Sequence, residues 1–163
     1  SMLIEAFHAV ADEYPELQLK IYGNGTHNED IREELEKQVA ALHLENRVYF
    51  MGHCNDMPQQ LYQSRIFVLT SDYEGMPNAL LESMALGLAC ISTDCPCGGP
   101  KTVIQDGENG LLIPVRDEKA LEVALRRILS DADFEKKLGE NAHKIGEKLA
   151  PERVNESWEK VIV

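Results

Sequence analysis

Two glutamates stand eight positions apart in the stretch SDYEGMPNALLESMALG, residues 71–87. Taken singly, Glu74 is typical of an acid that complements a helix dipole, and Glu82 of a solvated acid opposite an apolar stripe. Their neighbours favour a binding site when the features are taken together. Gly75 permits close approach of the backbone to a ligand, and Pro77 suits the first position of a helix, whose N-terminus attracts anions.

A nucleotide sugar is the ligand that suits this arrangement. Carboxylates do not attract phosphates, but they accept hydrogen bonds from hydroxyls. Eight residues of helix rise about 12 Å, an upper bound here because Glu74 lies in the loop. This length is comparable to the reach of a diphosphate that carries a sugar at each end. The diphosphate would lie at the helix N-terminus, with one carboxylate on the donor sugar and the other on the ribose.

Helical and strand patterns alternate along the chain. Helices are predicted in LIEAFHAVADEY, EDIREELEKQVAALHL, MPQQLYQS, the segment after SDYEGMPN, and from about Asp117 to Val163. The nearly continuous apolar runs between them predict parallel strands that are covered on both faces: LQLKIYG, RVYFMG, RIFVLT, LACIST and GLLIPV. We therefore expect an α/β fold with a doubly wound, Rossmann-like parallel sheet. Ligands of such folds bind beyond the carboxyl ends of the strands, which here are the loops after Tyr22, Met51, Thr70 and Thr93.

Composition narrows the class of partner. The 163 residues suffice for one domain with a core, and the net charge of −12 argues against nucleic acid or an anionic membrane as the partner of this piece. No apolar run approaches the roughly 20 residues that a membrane span needs. The four cysteines show neither a disulfide framework nor a zinc-ligand spacing, so we expect no metal site and a reducing, cytoplasmic setting. The run GNGT at 23–26 lacks the full dinucleotide fingerprint.

The run EGMPNALLE, residues 74–82, resembles the E-x7-E motif of retaining family 4 glycosyltransferases, which have the two-domain GT-B fold. The resemblance extends through nearly the whole chain, in order, and includes DGENGLL at residues 106–112. It implies that residues 1–163 form a single nucleotide-sugar-binding domain, a fragment of a larger two-domain enzyme. This domain would be the C-terminal half of a GT-B fold, lacking its first strand.

The resemblance also implies roles for individual residues. Glu74 would be the catalytic residue and contact the donor sugar, while Glu82 would bind the ribose hydroxyls. His53 would pack on the base, although it could equally be a surface histidine. The Gly-rich segment from Cys95 to Pro100 resembles a cleft loop of the family. The remaining donor-binding residues implied in this way are Gly23, Gly25, Gly52, Gly75, Met76, Asn78, Ala79 and Leu80.

By this resemblance, the full-length enzyme would transfer a sugar from a nucleoside diphosphate sugar, most commonly a UDP-sugar, to a hydroxyl acceptor. A basic Arg…Lys pair and an acceptor-binding N-terminal domain, both upstream in the family, would be needed as well. The isolated fragment is therefore expected to be inactive. No cofactor or metal is expected, and the acceptor would be a glycan or a lipid-linked molecule. The full-length enzyme would be cytoplasmic, and a position at the inner membrane surface stays open.

Two other classes of protein stay open at this point. One is a GT-B-like nucleotide-sugar epimerase, and the other is a non-catalytic GT-B-like module that binds glycans or partners. The presence of both Glu74 and Glu82 favours the transferase. Substitution of each glutamate in the full-length enzyme would separate the classes.

Overall fold

A computed structural model of the chain describes residues 1–23, 31–54 and 56–148. Five strands alternate with helices, and the predicted elements within these residues are confirmed. The strands are β1 (Leu19–Tyr22), β2 (Val48–Gly52), β3 (Ile66–Leu69), β4 (Ala89–Thr93) and β5 (Leu111–Ile113). The helices are α1 (Met2–Ala11), α2 (Arg32–Ala41), α3 (Met57–Leu61), α4 (Asn78–Ala85), α5 (Gly99–Val103), α6 (Glu118–Ser130), α7 (Ala132–His143) and α8 (Ile145–Lys148).

All strand pairs are parallel, as predicted, but they form two hydrogen-bonded sheets rather than one. β1 pairs with β2, and the second sheet has the order β3-β4-β5. In the usual doubly wound order 3-2-1-4-5-6, the first strand lies between the second and the fourth. The observed neighbours match 3-2 and 4-5-6 of that order. The expected lack of a first strand stays a prediction.

The core lies on both faces of β4, whose five residues are all buried. On one face, Ile91 packs with residues of α1, α6 and α7. On the other face, Cys90 packs with Leu80 and Met84 of α4. Helices thus cover both faces of the three-stranded sheet, which is the doubly wound arrangement. β3, predicted to be buried, is only half-buried along its length because it lies at the edge of this sheet.

α1 connects the cores of the two sheets. Ile4 and Phe7 pack in the cluster that contains Val39 of α2 and Val48 of β2. Val10, on the same helix, packs in the cluster around β4 and β5. An amphipathic helix with a wide apolar stripe can serve both cores, because its buried residues recur every three or four positions.

Two glycines permit a close backbone approach within this core. A methyl group added to Gly139 of α7 would lie 2.2 Å from the carbonyl oxygen of Gly87, in the turn before β4. No side chain fits between these segments, so α7 packs directly on the turn.

Among the described residues, no helix is both long and apolar enough to cross a membrane.

Candidate active site

The predicted site residues lie where the parallel strands end. Two of the loops meet directly: the N–H of Gly23, after β1, donates to the carbonyl of Gly52 at the end of β2 (2.8 Å). In the other sheet, the segment after β3 carries Glu74, and the segment after β4 begins with Asp94, whose N–H donates to the carbonyl of Ile113 in β5 (2.8 Å). Within each sheet, the loops share one edge because the strands are parallel.

Glu74 is half-buried and its carboxylate is held by a neighbouring hydroxyl. The Oγ of Ser71 donates to Oε1 of Glu74 over 2.8 Å. Ser71 is held in turn, because Oγ1 of Thr93 donates to its carbonyl oxygen over 2.5 Å. Thr93 ends the central strand and has no exposed surface. The acid is therefore connected to the core of the sheet through two hydrogen bonds.

Backbone contact fixes the next residue of the loop, Gly75. A methyl group added to Gly99 would lie 1.8 Å from the carbonyl oxygen of Gly75 and 2.8 Å from that of Glu74. Gly99 is buried and begins α5, a helix that the sequence reasoning missed by treating this segment as part of a loop. Pro100 could have indicated the start of α5, because proline is favoured in the first turn of a helix. The Gly-rich segment thus packs, at Gly99, against the backbone of Glu74 and Gly75.

A salt bridge that sequence reasoning did not predict holds the same loop from a third side. Arg116, between β5 and α6, donates from Nε (2.9 Å) and Nη2 (2.5 Å) to Oδ2 of Asp72. The hydrogen bond from Arg116 lowers the pKa of the Asp72 carboxyl, and Asp72 raises the pKa of Arg116. Arg116 adopts a positive φ of 60°, which is uncommon outside glycine and directs attention to this turn. Both side chains are more than half exposed, so the pair orients the loop more than it stabilises the fold.

The helix after the loop begins one residue later than predicted. α4 starts at Asn78, and Pro77 is its N-cap rather than its first residue. The side chain of Leu80 is fully buried, and its N–H donates to the carbonyl of Pro77 (3.0 Å). Leu80 therefore supports the helix start, while the amides of Asn78 and Ala79 lie in the first turn, where helix N–H groups lack carbonyl partners within the helix.

The two glutamates have different surroundings. Glu82 is exposed on α4, whereas its neighbour Ser83 is buried and donates through Oγ to the carbonyl of Ala79 (2.7 Å). The helix thus presents Glu82 on the side away from its packed face, where a ligand can reach it. Met76, which lies in the loop before the helix and was predicted to face the donor, is 59% exposed.

The loop predicted to pack on the base, around Gly52 and His53, lies at the end of β2, and Gly23, predicted to line the same cleft, lies beside it. Gly23 and Gly52 both have positive φ values, 124° and 71°, which glycine adopts without strain. His53 follows and is exposed. Beside them, burial raises the pKa of Tyr22, whose hydroxyl is buried without a hydrogen-bond partner among the described residues. Gly25 lies outside the described residues.

The cysteines have separate environments. Cys95 is buried, with Sγ 4.0 Å from the carbonyl oxygen of Glu74, and Cys97 is exposed. A hydrogen bond to Cys97 raises the pKa of Tyr73, while burial raises the pKa of the Cys90 thiol. Within the part of the chain that the structure describes, no three His, Cys, Asp or Glu residues are grouped as metal ligands.

Comparison with known proteins decides the family. The family model for glycosyl transferases group 1 matches residues 1–145. The chain belongs to the group 1 glycosyl transferases. It is 32% identical over 132 residues to an α-1,4-N-acetyl-D-galactosaminyltransferase of Campylobacter jejuni, which is 81% of this chain and 36% of that protein. It is 27% identical over 155 residues to the poly(glycerol-phosphate) α-glucosyltransferase of Bacillus subtilis, 95% of this chain and 22% of the relative. The chain thus spans well under half of either relative.

Solved structures match the fold of this group 1 member. The C-terminal domain of a group 1 family protein, LpcC of Francisella tularensis, has a TM-score of 0.80 and 27% identity, covering 91% of this chain and 77% of that one. Anabaena HepE, solved in complex with UDP and glucose, has a TM-score of 0.86 and 23% identity, covering 98% of this chain and 44% of HepE. The fold is therefore the Rossmann-like C-terminal domain of GT-B glycosyltransferases.

Proposed function

We propose that this chain is the donor-binding half of a retaining glycosyltransferase. The full-length enzyme would transfer a sugar from a UDP-sugar to a hydroxyl acceptor without a metal ion. Membership of group 1 supports a glycosyltransferase, and HepE, of the same fold, was solved with UDP and glucose. The assignment to family 4 and to a retaining mechanism rests on the resemblance of EGMPNALLE, residues 74–82, to the E-x7-E motif of that family.

The observation that carries the proposal is the hydrogen-bonded carboxylate of Glu74, in the loop between β3 and α4. An acid at a helix N-terminus would not improve a simple phosphate site, because like charges repel. It does suit a ligand that brings hydroxyl donors next to its phosphates. A nucleotide sugar has both, with the diphosphate near the amides of Asn78 and Ala79 and a sugar hydroxyl at Glu74.

In the reaction, the bond between the anomeric carbon and the diphosphate oxygen breaks, and the acceptor hydroxyl oxygen forms the new bond. The departing diphosphate keeps the electron pair of the broken bond and takes up the proton of the acceptor hydroxyl. Glu74 would orient the donor sugar at this step, and Glu82 would hold the ribose at a distance from the reacting atoms. Their roles predict different kinetic effects. Glu82→Ala should mainly weaken nucleotide binding, whereas Glu74→Ala should also slow transfer.

The 163 residues by themselves should bind UDP-sugars weakly. A helix N-terminus contributes about 0.3–1 kcal/mol to an exposed anion and up to about 2 if it is partly buried. Each charge-assisted hydrogen bond from a ligand hydroxyl to a carboxylate adds roughly 1.5–3 kcal/mol, and less in an open cleft. Association costs at least about 4 kcal/mol. The expected Kd is therefore millimolar at the tightest, which corresponds to a binding free energy of about −4 kcal/mol, and turnover by these residues alone should be undetectable.

A thermal-shift screen of the full-length protein against UDP-, GDP- and ADP-sugars tests the donor class, and stabilisation by UDP-sugars is expected. Kinetics of Glu74→Ala and Glu82→Ala then test the two roles. Glu140→Ala, at an exposed position of α7, is the matched control and should behave as wild type. Full activity of both site variants would contradict the proposal, as would micromolar affinity of the 163 residues alone. Binding without turnover in the full-length protein would favour a non-catalytic module.

A further inference from the structure

One hydrogen-bond path runs from the core of the three-stranded sheet to the carboxylate of Glu74. Thr93, fully buried at the end of β4, donates to the carbonyl of Ser71 (2.5 Å). Ser71 donates through its own hydroxyl to Oε1 of Glu74 (2.8 Å). The other two serine hydroxyls in this region bond to backbone carbonyls instead: that of Ser83 to Ala79, and that of Ser92 to Thr93. Ser71 therefore differs from these two serines because its hydroxyl donates to a side-chain carboxylate.

The path restrains a side chain that would otherwise be mobile. A glutamate has three rotatable bonds, and ordering such a side chain costs rotamer entropy. A hydrogen bond to a charged group is strong enough to select one orientation. The bond from Ser71 engages Oε1, so Oε2 is the oxygen that would accept from a sugar hydroxyl.

We propose that Ser71 is a positioning residue for Glu74, anchored to the central strand through Thr93, and that it acts on the sugar-dependent part of donor recognition. This inference rests on the proposed function, because it takes Glu74 as the acid that contacts the donor sugar. Ser71 itself has no contact with the substrate in this account. It sets the carboxylate in place before the donor arrives.

The loop does not depend on the Ser71 hydroxyl for its shape. Gly75 is confined by the backbone of Gly99, and Asp72 is bonded to Arg116. These contacts survive the substitution Ser71→Ala, which removes one oxygen and leaves no charge unpaired in the core. The variant should therefore fold, and its effect should appear at the acid.

The test compares the affinity of the full-length enzyme for UDP with its affinity for UDP-glucose and UDP-N-acetylglucosamine, by calorimetry. UDP lacks the sugar, so it reports the nucleotide contacts alone. Ser71→Ala should leave the Kd for UDP unchanged and weaken binding of the accepted UDP-sugar about tenfold or more. It should also lower kcat/KM for release of UDP from that donor. Ser71→Thr, which keeps the hydroxyl, should restore most of the loss.

A double-mutant cycle separates positioning from a structural role. If Ser71 acts only through Glu74, the variant Ser71→Ala/Glu74→Ala should match Glu74→Ala alone. Ser130→Ala, at an exposed site near the end of α6, is the control and should leave all values unchanged. If Ser71→Ala does not fold, Ser71→Cys, a weaker donor of similar volume, takes its place with the same expected losses.

Three results would overturn the inference. The first is wild-type sugar affinity and kcat/KM in Ser71→Ala, and the second is full additivity in the double variant. The third is a parallel loss of UDP affinity and thermal stability, which would indicate a structural role. A wild-type enzyme that binds none of the UDP-sugars would instead refute the proposed function, and this inference with it.

Discussion

Gly99→Ala places one methyl group against the backbone of the loop that carries Glu74. The added carbon would lie 1.8 Å from the carbonyl oxygen of Gly75, where the closest ordinary carbon–oxygen contact is about 3.3 Å. The obstacle is backbone, so no side-chain rotation can relieve it. The loop or α5 must move by roughly 1.5 Å to restore an ordinary contact.

Movement of this size has two expected consequences. Overpacking of this kind typically lowers the free energy of unfolding by about 1–3 kcal/mol. A shift of the loop also moves the carboxylate of Glu74, and misplacement of a catalytic group by about 1 Å can cost about a hundredfold in rate. We expect kcat/KM for the sugar donor to fall about a hundredfold in the full-length enzyme, a larger effect than the loss of stability explains.

Gly139→Ala is the matched control, because its methyl group would lie 2.2 Å from another backbone oxygen, that of Gly87, away from the site loops. Both variants are measured by thermal unfolding and by donor kinetics below the unfolding range. Gly139→Ala should lose stability while its folded fraction keeps wild-type kcat/KM. In Gly146→Ala, at an exposed helical position with no contact closer than 4.0 Å, both the stability and kcat/KM should stay at wild-type values. Wild-type kinetics in Gly99→Ala would show that the contact does not position the acid.

Other outcomes concern stability and metal content. Ile91→Ala in the central strand should lower the free energy of unfolding by about 2–5 kcal/mol in denaturant titrations, and Val123→Ala at a 56% exposed site by less than about 0.5; equal effects would contradict the assigned core. The hydrogen bond from Arg126 lowers the pKa of Glu13, so its contribution to stability is present above the unfolded-state pKa of about 4.3 and is lost as pH falls through the lowered value. Glu13→Gln should therefore destabilise at pH 7 and not near pH 2, and a pH-independent effect would argue against this pair. Purified protein should contain no stoichiometric zinc, and zinc lost together with stability on chelation would overturn the expectation of a metal-free domain.

The elements and their parallel pairing were predictable because local pattern and burial agree. LACIST is apolar and bounded by turn signals, and β4 is the strand with all five residues buried. Glycine and proline marked the segment before α4, where the structure places the predicted acid. The carboxyl-end rule for parallel sheets then located the loops without knowledge of the strand order.

What could not be predicted is set by contacts between distant residues. Arg116 and Asp72 are 44 positions apart, and no periodic pattern relates them. The contact between Gly99 and Gly75 depends on how α5 packs, and glycine spacing alone reports turns as often as close approach. The division into two sheets could not be predicted either, because the apolar pattern of each strand is equally compatible with a single sheet.

These contacts give the two acids different sensitivity to substitution elsewhere. The loop of Glu74 is held by Thr93 of β4, by Gly99 of α5 and by Arg116 after β5, so three separate elements determine where its carboxylate lies. Glu82 is placed by α4, whose buried face packs in the cluster that contains Cys90. Substitutions at Thr93, Gly99 or Arg116 should therefore change the sugar-dependent part of binding and leave the UDP-dependent part near wild type. Equal losses in both parts would mean that the acids share one support, contrary to the contacts observed.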